Sequence, residues 1–454
     1  MTVAATAVAA EERKPLAPYA AMAFASIVML ASVNLATPIY AVFRERFGFS
    51  IAVLPLIFAA YALVLVPTLL VFGQVSDRFG RRPVIVGGIG LLIAALVVFA
   101  FAQGTAWLFV ARVLQGLGVG VSAGAASAAL VELEPRHDRG RAALVTTLTQ
   151  AGGSALGPVL AGMLAEWAPW PHRLCFLAGG GLAAVAALGV LAIAEPVRPP
   201  TPVRKLTRPS VPAEIRLPFL RAGITAASVW AVAGLFLSVV PTYAGRLLDT
   251  HNLALLGAIT AIMLGASCLS QGIWQRTPLT PARAQPLGLG LLACALGALV
   301  LAFPTHSLAL VLVAASLGGV GHGLGFLGAQ ADVNELAPPE RRGEVTAAFY
   351  AIIYFGVAIP VIGVGLLAAH YSLYTGVVAF AIVTGGVAAA TAIWHLRGEL
   401  RLTGRAGPPA ARRVVATRVR AGERAEHDCH EDEHADDHCC CHVVSMAPLE
   451  DQSK

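Results

Sequence analysis

Charge is what this chain has least of. Asp, Glu, Lys and Arg make up only 13% of 454 residues, while hydrophobic residues make up 57% and the mean hydropathy is +0.72. Soluble domains carry about 25% charged residues, so a string of such domains is excluded as the main architecture. Two further absences narrow the field. The apolar stretches lack the roughly ten-residue alternation of an outer-membrane barrel strand, and no loop gathers a catalytic constellation, so an enzyme is not expected. The net charge of +6 resides in loops and calls for no nucleic-acid partner.

What the chain has instead is long apolar runs, each close to the roughly 20 residues that a helix needs to cross a hydrocarbon core of about 30 Å. Twelve are read, at Pro18–Phe43, Ile51–Phe72, Pro83–Phe101, Ala106–Val131, Ala142–Leu164, Leu174–Ala194, Phe219–Tyr243, Leu253–Trp274, Pro286–Phe303, Leu308–Ala331, Val345–Ala368 and Leu373–Leu396. In lipid every backbone N–H and C=O must be satisfied within the segment, which selects helices. The expected fold class is therefore an all-α membrane protein with twelve transmembrane helices.

Basic residues collect on alternate loops. With the N-terminus inside, the internal loops hold Arg78, Arg81, Arg82, Arg136, Arg139, Arg141, Arg198, Arg204, Lys205, Arg208, Arg216, Arg276, Arg283, Arg341 and Arg342, and the external ones only Arg44, Arg46, Arg173 and Arg246. Both termini are then expected in the cytoplasm of a multi-pass inner (plasma) membrane protein. Shifting the sequence by 203 positions lays Gly116, Gly118, Gly120, Glu132, Pro135 and Arg139 on Gly319, Gly321, Gly323, Glu335, Pro338 and Arg342, and Pro38 and Tyr40 on Pro241 and Tyr243. The chain thus reads as two six-helix halves, 17–195 and 218–396. They are preceded by a cytoplasmic segment 1–16, joined by a linker 196–217 rich in Pro, Arg and Thr, and followed by a tail 397–454. Such a duplication suits alternating access to a central site near the midplane.

Three motifs carry a resemblance. Run 2 ends in "GQVSDRFGRRP", with Gly73, Asp77, Arg78, Gly80, Arg81 and Arg82; run 4 holds "RVLQGLGVG", with Arg112, Gln115, Gly116 and Gly118; run 5 holds "GSALGPVLAG", with Gly153, Gly157, Pro158 and Gly162. In these positions the chain resembles the major facilitator superfamily, and in run 5 its proton-coupled drug and multidrug antiporters, although Ala161 stands where that pattern has a second glycine. The resemblance covers about residues 17–396. It implies two pseudo-symmetric six-helix bundles, a gating latch of Asp77 against the start of run 11 near Gly343, and a pairing of Arg81 with Glu132. In the second half Arg276 occupies the place of Asp77, so the latch is one-sided.

Arg112 is a full charge deep in an apolar run, at a cost of at least about 2.5–3.5 kcal/mol unless it is paired or solvated. It is expected to face the central cavity. The family precedent implies an acid on run 1, where this chain has Asn34, so His322 and Asp332 of run 10 become the candidate proton carriers; an imidazole pKa near 6.5 suits that role. The resemblance assigns the central path to runs 1, 4, 7 and 10, whose polar or aromatic residues are Asn34, Tyr40, Gln115, Trp230, Tyr243, His322 and Gln330. This weakly polar set fits lipophilic molecules better than sugars.

The tail opens basic and then reads "HDCHEDEHADDHCCCH" from His427 to His442, with five His, four Cys, four Asp and two Glu in one stretch. His427, His430, His434, His438 and His442 recur at steps of three and four, and Cys429, Cys439, Cys440 and Cys441 add soft ligands for zinc, nickel or copper. The expectation is proton-coupled efflux of small hydrophobic or amphiphilic compounds by a monomer that needs no cofactor, with a metal-binding accessory tail. Two alternatives are a metal exporter whose tail collects the ion and a non-transporting membrane sensor.

Overall fold

The computed structural model describes residues 15–72, 79–194, 210–338 and 341–405. Gly73, Asp77, Arg78, most of the linker and the His427–His442 stretch lie outside the described residues. By contacts the chain separates into Met1–Arg397 and Gly398–Lys454. The bundle below belongs to the first unit; of the second, only the helical end 398–405 is described.

Apart from one short 3₁₀ turn, every regular element among the described residues is an α-helix: α1 Leu16–Asn34, α2 Tyr40–Phe47, α3 Val53–Phe72, α4 Arg81–Ala100, α5 Thr105–Glu132, α6 Arg139–Trp167, α7 Leu174–Leu191, α8 Arg216–Ser238, α9 Val240–Leu247, α10 Leu253–Trp274, α11 Pro281–Ala302, α12 Leu308–Leu336, α13 Arg342–His370 and α14 Leu373–Arg405. Among the described residues ten helical stretches are long and apolar enough to cross a membrane. The other two apolar runs fall on α3, whose apolar stretch is Val53–Leu69, and on α6, diluted by Thr146, Thr147, Thr149, Gln150 and Ser154.

Runs 1 and 7 are not continuous helices, and this corrects the sequence reading. Run 1 breaks into α1 and α2 over residues 35–39, and run 7 into α8 and α9 at Val239. A proline has no N–H to give to the carbonyl four residues back and its ring crowds that carbonyl. Pro38 and Pro241 therefore interrupt the ladder at positions 203 apart in the two repeats. Beyond the break, Tyr40 N–H donates to the Ala36 carbonyl at 3.1 Å, and Tyr243 N–H to the Val239 carbonyl at 3.0 Å.

The repeat glycines seat neighbouring helices in equivalent ways. A Cβ on Gly116 would lie 2.7 Å from the Tyr61 carbonyl of α3, and one on Gly118 would lie 2.8 Å from the Gly88 carbonyl of α4. In the second repeat Gly319 meets the Met263 carbonyl of α10, and Gly321 meets the Gly288 carbonyl of α11 at 2.6 Å. In lipid, where apolar burial gives helices little reason to associate, such backbone-to-backbone approach holds them together.

The repeats meet along two seams, α6 with α10 and α3 with α13. On the first, a Cβ on Gly162 would lie 2.5 Å from the Leu253 carbonyl, and one on Gly257 would land on the Pro158 carbonyl. On the second, a Cβ on Gly365 would lie 2.7 Å from Pro55 Cγ and 3.2 Å from Ala52 Cα. Both contacts lie at the end of the bundle that carries the α9–α10 and α13–α14 loops.

Candidate functional site

A cavity of about 690 Å³ lies between the seams, lined by residues of both repeats. Leu30, Val33 and Asn34 come from α1, Phe58, Tyr61 and Leu65 from α3, Ala123 and Ser127 from α5, and Gln150 and Ser154 from α6. Across from them stand Trp230 and Leu237 of α8, Leu264 of α10, Phe326 of α12, and Tyr350, Tyr354 and Val357 of α13. The lining reaches the exposed residues Gln150, Arg342 and Gly343 at one end. At the other end it stops at Leu237 and Val357, short of the glycine contacts. The volume is that of a small-molecule site, and the walls are mostly apolar and aromatic.

Of the sequence candidates, Asn34 and Trp230 line this cavity. The remaining candidates do not, because a helix that is apolar on all sides gives no sign of which polar residue faces a void and which a neighbour.

Arg112 is the largest departure: it is fully buried behind the wall rather than in the cavity. The break after Asn34 turns the end of α1 toward α5, and Arg112 fills the corner. Its Nε donates to the Tyr40 hydroxyl, its Nη1 to the Val33 carbonyl at 2.9 Å and to Gln115 Oε1 at 2.8 Å, and Gln115 Nε2 donates to the Ser32 carbonyl at 3.0 Å. The guanidinium carbon lies 5.3 Å from the Tyr40 ring centroid and 5.8 Å from those of Phe58 and Tyr61. Among the described residues Nη2 has no partner, and the charge is met by dipoles and ring faces with no carboxylate in contact. Hydrogen bonds from a charged donor contribute about 1.5–3 kcal/mol each, enough together to offset the cost of holding the cation there.

Tyr243, the repeat counterpart of Tyr40, donates to the Leu299 carbonyl at 2.9 Å and packs on Phe303, away from the cavity. His322 is buried behind Trp230 and Phe326: its ring meets the indole edge-on at a centroid distance of 4.9 Å and stacks on Phe326 at 6.0 Å. Its Nδ1 is hydrogen-bonded to Ser267 Oγ at 2.8 Å, while Nε2 has no partner among the described residues. Gln330 donates to the Tyr350 hydroxyl at 3.5 Å, touching the lining at second hand. Asp332 faces α11, where its Oδ2 accepts from Gln285 Nε2 at 2.6 Å.

Phe58, Tyr61, Phe326, Tyr350 and Tyr354 were missed by the sequence reading. The pairs 58/61 and 350/354 carried a signal, since three or four residues apart on a helix is one face.

At the open end, Arg81 Nη2 donates to Glu132 Oε1 at 3.4 Å, across the α3–α4 and α5 ends. Glu134 organises the next turn by accepting from the N–H groups of Arg136 at 2.7 Å and Asp138 at 2.8 Å. Arg341 pairs with Glu344 at 3.0 Å and donates to Ser210 Oγ at 2.6 Å. Asp77 lies outside the described residues; among the described residues, a Cβ on Gly343 would meet no neighbour within 4 Å.

The glycines of run 5 face two ways along α6. A Cβ on Gly153 would lie 2.5 Å from the Ile27 carbonyl, and one on Gly157 would land on the Ala31 carbonyl, so both seat α1; Gly162 seats α10. Four residues on, Glu166 Oε2 accepts from the Leu253 N–H at 2.9 Å, tying the end of α6 to the first turn of α10. Glu166 was not singled out by any motif. Among the described residues no group of three or more His, Cys, Asp or Glu is placed to hold a metal ion.

A bundle of long apolar helices, broken at equivalent prolines and enclosing a cavity between two repeats, defines a polytopic membrane protein built around a small-molecule-sized site. The chain belongs to the Major Facilitator Superfamily, whose model matches residues 22–280 and 250–421. This is a family of transporters and not of enzymes. Puromycin resistance protein pur8 of Streptomyces alboniger is 38% identical over 136 residues, 29% of this chain and 26% of that protein. Multidrug resistance protein MdtH of Aeromonas salmonicida is 30% identical over 135 residues, 29% of this chain and 33% of the relative. The vesicular acetylcholine transporter of Homo sapiens is 34% identical over 125 residues, 27% and 23% of the two chains. The matched stretches thus span a third or less of these relatives' own length, and their names carry differing cargoes.

Proposed function

We propose that this protein is a secondary transporter that works by alternating access and exports small hydrophobic or amphiphilic compounds in exchange for protons. The observation that carries this reading is the cavity itself. It is enclosed by both repeats, apolar and aromatic in its walls, open at the α12–α13 loop end and closed by glycine contacts at the other. Two relatives named for drug resistance support the exporter side. The basic loops lie at the open end, so the positive-inside rule makes this an inward-open state of a chain that crosses the membrane twelve times with both termini in the cytoplasm. His322 remains the proton-carrier candidate nearest the cavity, through Trp230 and Phe326.

The test is a transport assay in inside-out vesicles from a pump-deficient host. Addition of an aromatic dye should dissipate a pre-formed proton gradient in vesicles carrying the protein and leave it intact in control vesicles; an unaltered gradient across a broad dye panel would overturn the reading. The His427–His442 stretch is proposed, on composition alone, as a metal-binding accessory. Stopping the chain after Leu400 should abolish zinc, nickel or copper binding and spare dye transport; loss of metal tolerance alone would instead favour metal as cargo.

A further inference from the structure

We infer that the cavity selects by charge: it takes neutral and anionic aromatic compounds and rejects permanent cations. The inference rests on the small-molecule reading above and sharpens it. Among the described residues the lining holds no carboxylate, and Arg342 at its mouth is the one fully charged side chain in it. The carboxylates nearby are engaged elsewhere: Glu132 with Arg81, Glu134 with the backbone of its own turn, Glu344 with Arg341, and Asp332 with Gln285 on the α11 side. Behind the wall stands Arg112, whose charge, among the described residues, meets only hydroxyl, amide and carbonyl oxygens and ring faces.

Two of those rings, Phe58 and Tyr61, have Arg112 on one side and themselves line the cavity. A ligand stacked on them therefore sits within about one ring's thickness plus a contact of the guanidinium. A unit charge about 10 Å from another, at an effective dielectric of about 20, changes a binding constant by roughly tenfold relative to a neutral ligand. The sign penalises a cation and favours an anion. Trp230, Phe326, Tyr350 and Tyr354 supply the opposing aromatic faces, and such faces alone would attract a cation. The buried guanidinium decides the outcome because it is a full charge without a counter-ion, whereas each ring offers only a quadrupole.

The experiment uses three probes on one ring system: 2-naphthoate, 2-naphthamide and a trimethyl(naphthylmethyl)ammonium salt. Binding of each to the purified full-length protein is measured by calorimetry. The amide and the carboxylate should bind at least tenfold tighter than the ammonium compound. Arg112→Gln should compress the series to within about threefold. Because that variant removes a buried donor and can fail to fold, Ala123→Asp is measured in parallel; it places a carboxylate in the lining without touching Arg112 and should raise affinity for the ammonium probe about tenfold. Equal or tighter binding of the ammonium compound by the native protein overturns the charge selection and leaves the small-molecule reading standing. Failure of all three probes to bind overturns both.

Discussion

Glu166 gives the most direct handle on the closed end. Its carboxylate accepts from the Leu253 N–H at 2.9 Å, across the boundary between the repeats. The first turn of α10 keeps its own cap, since Asn252 Oδ1 accepts from the Leu255 N–H at 2.8 Å. Removing Glu166 therefore loosens the seam without unravelling α10. A charge-assisted hydrogen bond contributes about 1.5–3 kcal/mol when buried, and partial exposure reduces this to about 1 kcal/mol. With RT of about 0.59 kcal/mol, Glu166→Ala should lower the ratio of closed to open molecules at this end about fivefold. Glu166→Gln keeps an acceptor without the charge and should lower it about twofold. Spin labels introduced by Trp167→Cys and His251→Cys, both at exposed positions flanking the contact, read the separation by pulsed dipolar spectroscopy in a cysteine-free background. Identical distance distributions in the native protein, the Gln and the Ala variants would show that the contact does not hold this end shut.

Four other outcomes follow from the geometry. Gly257→Val should cost about 3 kcal/mol or more, because the Pro158 carbonyl cannot move off the added side chain; aggregation on size-exclusion chromatography and a lowered apparent Tm in detergent are the readouts. Arg112→Lys keeps the charge but cannot reach Tyr40, Val33 and Gln115 together, and should reduce stability by about 2 kcal/mol on the same measurement. Trp230→Ala should weaken dye binding about tenfold, an aromatic contact contributing about 0.5–1.5 kcal/mol beyond its area, without lowering expression. His172, in the α6–α7 loop, is held below its ordinary value first by burial and then by Arg46. Its neutral form is favoured in the folded protein, so its contribution is complete above about pH 6.5 and fades as the pH falls through the depressed value. The slope of apparent Tm against pH between 7 and 5 should flatten in His172→Asn.

The helical class and the repeat were legible because each is a local or self-referential signal: apolar length and a constant offset of 203. The interruption of runs 1 and 7 was overlooked although Pro38 and Pro241 served as markers of the repeat, since hydrophobicity alone reads straight through a proline. The cavity lining was the least legible part. In a helix apolar on all sides, Tyr40, Gln115 and Tyr243 look like Asn34 and Trp230, and only the packing tells which group meets a neighbour's carbonyl and which meets open space. Restricting the path to runs 1, 4, 7 and 10 also hid α3 and α13, whose Tyr61, Tyr350 and Tyr354 form much of the wall.

Under the alternating-access reading proposed above, Arg112 would make the protein answer to voltage. The cavity is large enough to fill with water from its open end, so in a membrane the potential drop would concentrate across the sealed end beyond Arg112. Opening that end and closing the other would place the same fixed charge on the opposite side of the drop without moving it through the protein. A unit charge crossing the full drop gains or loses about 2.3 kcal/mol per 100 mV. In that reading a resting membrane of ordinary polarity would weight the two orientations unequally, and the cycle would carry an electrical bias even with no cargo bound.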